Sequence, residues 1–325
     1  MKVAEFSLTN YCNFKCKYCI SDDNRGNDKF AQPLKLDENG NLKIHQKGLS
    51  EEEIAKRDRI LKEAGQEALD FYVKKEQEKY ELDKNNWHDY GDFLDFNTTL
   101  KFIHKNLLYK WVIVFTGGEP LYIPHFDALA KAVIKTNKIV ITSNLSLLQK
   151  QPGLLELDPK KVIYRIGYHP EFRSLTQLKN NVKTLDDYGY KYIVNYVLHP
   201  EYYESGKYLE HIKFLEDNHM LYEVTQFSGK YNGVTYPRIL PARKTKLDEI
   251  YDDKYEIDGT SFGKDFIFVT TDGTIYECEG KHKVLGNIYD DIYRPLSINH
   301  SFCVQMIRCP VAVSCFRYLN MFDNM

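Results

Sequence analysis

Three of the seven cysteines stand close together, in Tyr11-Cys12-Asn13-Phe14-Lys15-Cys16-Lys17-Tyr18-Cys19. Three thiolates on one short loop can hold three corners of a cubane iron–sulfur cluster and leave the fourth iron open. An open iron is a place for chemistry. By residue type alone, zinc or a group of buried thiols stay open as alternatives, but structural zinc favours paired short spacings and a fourth partner nearby. The other four, Cys278, Cys303, Cys309 and Cys315, suffice to close one further cluster or an all-cysteine zinc site. The intervals of five residues between the last three are wider than common zinc loops. An odd count divided three and four argues against a disulfide framework.

A second motif, Thr116-Gly117-Gly118-Glu119-Pro120, follows the second predicted strand. A CxxxCxxC loop after the first strand, with Tyr18 before its last cysteine, and a Gly-Gly-Glu-Pro turn after the second together resemble the radical S-adenosylmethionine (radical SAM) enzymes. The resemblance implies that Cys12, Cys16 and Cys19 ligate a [4Fe–4S] cluster whose fourth iron is chelated by S-adenosylmethionine. It implies that Gly117, Gly118 and Glu119 meet the ammonium of that molecule and that Tyr18 lies by its adenine. Ser143 and Asn144, in Thr142-Ser143-Asn144, resemble a turn that reaches the ribose or carboxylate, with Leu145 standing where many relatives have glycine. His169 takes the polar contact expected from the fourth strand, and Asn195 on the fifth is a further candidate. The glycine-rich adenine motif of the fifth strand is not seen.

The late cysteines extend the resemblance. Phe266–Cys278 with its Asp272-Gly273 turn, then Leu285-Gly286-Asn287-Ile288, resemble the SPASM and shorter twitch extensions of radical SAM enzymes. Four cysteines fit the twitch form with one auxiliary [4Fe–4S] cluster. The Cys-x5-Cys-x5-Cys spacing departs from the usual pattern, and Ser261 stands where many relatives have cysteine. The implied activity is reductive cleavage of S-adenosylmethionine to a 5′-deoxyadenosyl radical, with the hard chemistry carried by the cofactor. That radical would abstract hydrogen from an unactivated C–H bond of a small amino-containing or nucleoside-like substrate, in an oxidation or isomerisation. The alternative is a peptide-modifying maturase that forms a cross-link or alters a side chain. An electron donor such as flavodoxin or ferredoxin is implied as a partner. A third class, a binding protein that holds iron–sulfur or zinc without turnover, is disfavoured by the intact motifs. If all seven thiols are ligands, none is left to donate hydrogen, which weakens an epimerase reading.

These residues need elements to hold them. β-Branched and aromatic runs predict strands near 3–8, 111–115, 138–142, 162–168, 191–198 and 221–227. Phe126, Leu129, Ala130, Val133 and Ile134 form a helical stripe between them, as do Leu175, Leu178, Val182 and Leu185 with Gly189 as a stop. The expected fold is α/β, a partial (β/α)6 barrel over residues 1–228, with ligands at the carboxyl ends of its strands. On the fourth strand Arg165, Gly167 and His169 share a face. Tyr168, Glu171, Glu223 and Gln226 near strand ends are candidate substrate contacts. A helical insertion is expected over about 26–90, where Ser50-Glu51-Glu52-Glu53 opens a possible capping box. Residues 229–262 read as a linker, and 263–325 as the cysteine-rich extension.

Composition bounds the rest. The 325 residues carry 44 Lys and Arg against 46 Asp and Glu, a net charge of −2 that gathers no nucleic acid, although a modified nucleotide as substrate stays open. No run approaches the roughly 18 apolar residues of a membrane span, and no signal-peptide core follows Met1. A cytoplasmic protein is expected. With the first strand read at the start of the chain, no preceding peptide-recognition domain is expected, which tilts the expected substrate toward a small molecule or a modest group on a larger carrier.

Overall fold

The computed structural model describes residues 2–10, 12, 14, 16, 93–109, 111–227, 229–236, 266–278, 283–290, 292–295 and 321–322. Tyr18, Cys19, the expected insertion, Ser261, Cys303, Cys309 and Cys315 lie outside them.

Six strands run parallel in chain order: β1 (Lys2–Ser7), β2 (Trp111–Thr116), β3 (Lys138–Ser143), β4 (Val162–Tyr168), β5 (Lys191–Leu198) and β6 (Tyr222–Gln226). Their register sets Ser7 opposite Thr116, Thr142 opposite Arg165, Gly167 opposite Asn195 and Asn195 opposite Glu223. Side chains at registered positions point to the same face, so these polar residues share one side of the sheet. The other side carries Phe6, Phe115, Ile141, Tyr164 and Tyr196, buried under the helices. Burying one such side chain contributes roughly 1.5–3 kcal/mol, and this layer forms the main core.

The covering helices follow from local signals. Helix α1 (Phe96–Asn106) starts at Asp95, whose carboxylate accepts from Thr98 N at 2.7 Å and so satisfies an end amide. Helix α2 spans Phe126–Val133. Helix α3 (Leu175–Asp187) opens on a reciprocal capping box between Ser174 and Gln177 and stops before Gly189 at φ 76°. The short α4 (Pro200–Glu204) leads into α5 (Lys207–Asp217). Helices α1 and α5 take places that the (β/α)6 pattern calls for, between β1 and β2 and between β5 and β6, although neither is among the helical stripes read from the sequence. Among the described residues no helix is long and apolar enough to cross a membrane.

Two further features differ from expectation. Residues read as the start of a linker pair as a hairpin, β7 (Gly229–Tyr231) with β8 (Val234–Tyr236). Its turn residues Asn232 and Gly233 have φ 48° and 76°, the positive values that a two-residue Asn-Gly hairpin turn requires. The carboxy-terminal hairpin, in turn, is part of the main sheet. Strand β9 (Phe266–Val269) pairs in parallel with β1, and β10 (Thr274–Tyr276), β11 (Val284–Asn287) and β12 (Ile292–Tyr293) follow antiparallel. The ten strands run in the order β12-β11-β10-β9-β1-β2-β3-β4-β5-β6, an open sheet. Near the amino-terminal ends of its inner face, Val3, Val112, Val140, Ile163, Ile193 and Phe266 pack with Met321 and Phe322 from the end of the chain.

Candidate active site at the carboxyl ends of the strands

The turn after β2 lies on the tail of β1. Gly118 N donates to Thr9 O at 2.6 Å, and a Cβ on Gly117 would sit 2.4 Å from that same carbonyl. Gly117 has φ 127°, so both conformation and space demand glycine. Cys12 is three residues beyond Thr9, and the cysteine loop therefore leaves the sheet beside Gly117 and Gly118.

Glu119 follows, 1% exposed. Its Oε1 accepts from Ser143 Oγ at 2.7 Å and from Leu121 N at 3.1 Å, while Oε2 accepts from Asn144 N at 2.8 Å. Burial pushes the carboxyl from 4.5 up to about 7 against the pull of these donors. Ser143 Oγ also accepts from Leu145 N, and Asn144 Oδ1 from Ser146 N. Leu145 adopts φ 57°, a left-handed conformation in which glycine is the unstrained residue, so the turn keeps its shape without the glycine. Sequence reasoning missed Arg173, which donates from Nη1 to Asn144 O and favours the ionised form of Glu119.

Cys12 and Cys16 are reduced thiols, Cys16 only 7% exposed. Phe14 N donates to Cys12 Sγ at 3.4 Å, and His169 Nδ1 lies 3.1 Å from Cys16 Sγ. Phe14 stacks on Phe172 at 5.0 Å and meets His169 edge-on at 5.7 Å; Phe227 packs against Cys16. Two reduced thiols in an apolar shell, one already receiving an amide N–H, suit the thiolate ligands of an iron–sulfur cluster. Burial, and then Arg173, lower the His169 imidazole from 6.5 to about 4. Among the described residues no three His, Cys, Asp or Glu side chains converge on a metal position. Cys278, which follows β10, packs against the cluster of Val3 and Phe266.

Below this layer the inner wall is polar. Arg165 Nε donates to Glu223 Oε1 at 2.8 Å, and Thr225 Oγ1 to Asn195 Oδ1 at 2.6 Å. Thr142 Oγ1 and Glu171 Oε1 are buried with no hydrogen-bond partner among the described residues. Tyr168, a candidate substrate contact by sequence, instead points to the helix side, stacked on Tyr196 at 6.1 Å and edge-on to His211. Strand alternation decides this, because its neighbours Gly167 and His169 take the inner face. The Gln226 side chain lies outside the described residues. His199, not singled out by sequence, is buried at the end of β5 between Phe227 and Tyr231 and accepts from Glu201 N.

Neither a protein-family model nor a curated protein matches the sequence. Solved structures do match the fold. Native anSMEcpe with bound AdoMet (S-adenosylmethionine) aligns with a TM-score of 0.51 and 13% identity, over 96% of this chain and 83% of that one. The chain shares the fold of that protein. The same protein with AdoMet and the Kp18Cys peptide gives a TM-score of 0.50 at 12% identity, over 96% and 82% of the two chains. Its histidine-tagged form with AdoMet gives 0.51 at 12%, over 97% and 80%. The shared fold, an open α/β sheet of the partial-barrel class, is the one implied by the resemblance of Cys12, Cys16, Cys19 and Gly117-Gly118-Glu119-Pro120.

Proposed function

We propose that this chain is a radical SAM enzyme, which cleaves S-adenosylmethionine reductively and removes hydrogen from an unactivated C–H bond of a polar substrate. The observation that carries the reading is the hydrogen bond from Gly118 N to Thr9 O at 2.6 Å, which joins the Gly-Gly-Glu-Pro turn to the root of the cysteine loop. Two motifs more than ninety residues apart in sequence meet at the same end of the sheet.

Cys12, Cys16 and Cys19 would hold the [4Fe–4S] cluster. When bound, that group supplies one electron to the sulfonium, releasing methionine and the 5′-deoxyadenosyl radical. Phe14 and Phe227 pack against Cys16 and keep water from it, in an apolar setting that strengthens nearby electrostatics. Glu119 complements the ammonium of S-adenosylmethionine, and Ser143 with Asn144 holds its ribose or carboxylate side. Tyr18 is assigned to the adenine. Arg165, Glu223, Asn195 and Thr225 line the inner wall with both charges and both hydrogen-bond polarities, which suits a small amino-containing or nucleoside-like substrate. Late cysteines holding an auxiliary cluster would accept an electron from a substrate radical, favouring oxidation.

A second reading is a peptide-modifying enzyme. The structural neighbour with a bound peptide, matched over 96% of this chain, supports it. Anaerobic reconstitution with iron and sulfide, followed by reductant and S-adenosylmethionine, tests the common step through 5′-deoxyadenosine. None formed by cluster-loaded protein sinks the enzyme reading. Deuterium transfer into 5′-deoxyadenosine from labelled amino compounds, nucleosides or peptides then separates the substrate classes.

A further inference from the structure

The geometry points to His169 as the residue that sets the reduction potential of the cluster held by Cys12, Cys16 and Cys19, through a hydrogen bond from Nδ1 to Cys16 Sγ. The inference rests on the proposed function. His169 Nδ1 and Cys16 Sγ are 3.1 Å apart and come from segments 153 residues distant. A ligating cysteine is a thiolate with no proton to give, so the imidazole must be the donor and Nε2 carries the lone pair.

The ring is held for this task from both sides. Phe14 meets it edge-on at 5.7 Å and is itself stacked on Phe172. On its other flank, a Cβ at position 167 would stand 2.7 Å from His169 Nε2, so Gly167 leaves the room the ring occupies. Gly167 has no positive φ to explain it; a methyl group there would have to displace the His169 ring. A donor on a ligand sulfur draws charge from the cluster and favours the more negative, reduced state, so it raises the potential. His169 thus acts through Cys16 as a positioning residue, a different role from the direct contact to S-adenosylmethionine that the sequence suggested.

The test is a redox titration of reconstituted protein, followed by the EPR signal that changes when S-adenosylmethionine is added. His169→Phe should shift the reduction equilibrium about tenfold toward the oxidised cluster, about 59 mV downward for one electron. Iron content and affinity for S-adenosylmethionine should hold. His169→Gln, which keeps an N–H, should recover part of the shift. Gly167→Ala, which displaces the ring without changing His169 or any cysteine, should also lower the potential. Unchanged potentials in His169→Phe and Gly167→Ala overturn the inference. Weakened binding of S-adenosylmethionine at an unchanged potential also overturns it, and returns His169 to the role of ligand contact. If His169→Phe holds no cluster, Gly167→Ala decides. Wild-type protein that takes up no cluster fails the proposed function itself, a result distinct from a normal cluster with an insensitive potential.

Discussion

The Ser143 hydroxyl donates to Glu119 Oε1 at 2.7 Å, tying the turn after β2 to the end of β3. The Asn144 amide completes the tie at Oε2, and the carboxylate so held is almost fully buried. A buried carboxylate with three donors is set up to stay ionised when a cation arrives and to take a proton when none does.

That balance makes the first prediction one of pH. Burial raises the Glu119 carboxyl from 4.5 to about 7, so the native state keeps a proton that the unfolded chain has released. Its contribution is therefore full below about 4.5 and is lost as pH rises through about 7, on the order of 3 kcal/mol in all. Urea unfolding of the ligand-free protein should give lower stability at pH about 8 than at about 5.5, and Glu119→Gln should flatten the difference. Binding of S-adenosylmethionine should run the other way if its ammonium meets Glu119, because a cation favours the carboxylate. Affinity should rise about tenfold between pH ~5.5 and ~7, below the range where an α-amino group loses its proton, and a flat profile by calorimetry would separate Glu119 from that ammonium.

Gly117→Ala should damage the cysteine loop from a distance. The new Cβ would meet Thr9 O at 2.4 Å in a backbone conformation with φ 127°. Strain and clash together should cost about 3 kcal/mol. Because Thr9 leads directly to Cys12, reconstituted iron per chain should fall as well. Wild-type iron content and an unchanged urea midpoint would show that the turn and the loop are not coupled.

Much of this arrangement is legible in the residues alone, and the gaps have physical causes. Parallel strands stand out as β-branched runs, because both faces of such a sheet are buried. Helix α1 carries a signal as well, Asp95 as a cap ahead of Phe96, Leu100, Ile103 and Leu107. Asn232-Gly233 is equally a hairpin signal, masked because a single turn inside a glycine- and proline-bearing stretch looks like a linker. No local pattern could place β9 beside β1, since which sheet edge a strand joins is a tertiary choice. The pairing of Cys16 with His169 and the reach of Arg173 to Asn144 O are likewise long-range, whereas Gly117-Gly118-Glu119 is readable because its motif is local.

Arg165 and Glu223 give the third prediction. Their 2.8 Å ion pair spans β5, with the Glu223 side chain 3% exposed. Removing one partner breaks the pairing of the other, buried charge, so Arg165→Met or Glu223→Leu should each cost about 3–5 kcal/mol. The double replacement Arg165→Met with Glu223→Leu should cost less than either alone, because no charge is then left buried. Additive losses in a urea double-mutant cycle would mean the two act separately. Deuterium transfer to 5′-deoxyadenosine should fall in both single variants if the pair also orients substrate.

Phe322 is the fourth. Its ring is 2% exposed among Val3, Val112, Ile163 and Ile193, with Lys138 Nζ 5.0 Å from its centroid. Lys191 Nζ donates to the Met321 carbonyl at 3.2 Å, so the end of the chain is fixed to the floor of the inner face. Phe322→Ala should cost about 3–5 kcal/mol, whereas Lys138→Met, which removes a cation–π contact and a long hydrogen bond to the Phe322 carbonyl, should cost about 1 kcal/mol. Equal losses would assign the anchoring to charge and not to packing.

The last prediction concerns the division of the cysteines. Cys278 lies against the Val3 and Phe266 cluster toward the amino-terminal ends of the strands, while Cys12 and Cys16 stand at their carboxyl ends. A late site built on Cys278 and a cluster held by Cys12 and Cys16 should load independently. Replacing Cys12, Cys16 and Cys19 together with alanine should therefore leave roughly four irons per chain if Cys278, Cys303, Cys309 and Cys315 hold a second cubane. Zinc in place of iron, by metal analysis of the same variant, would instead make the late site a structural zinc centre with four thiolate ligands. Folded triple variant with neither metal would leave the late cysteines as buried thiols, and the electron-accepting role proposed for them would fall with it.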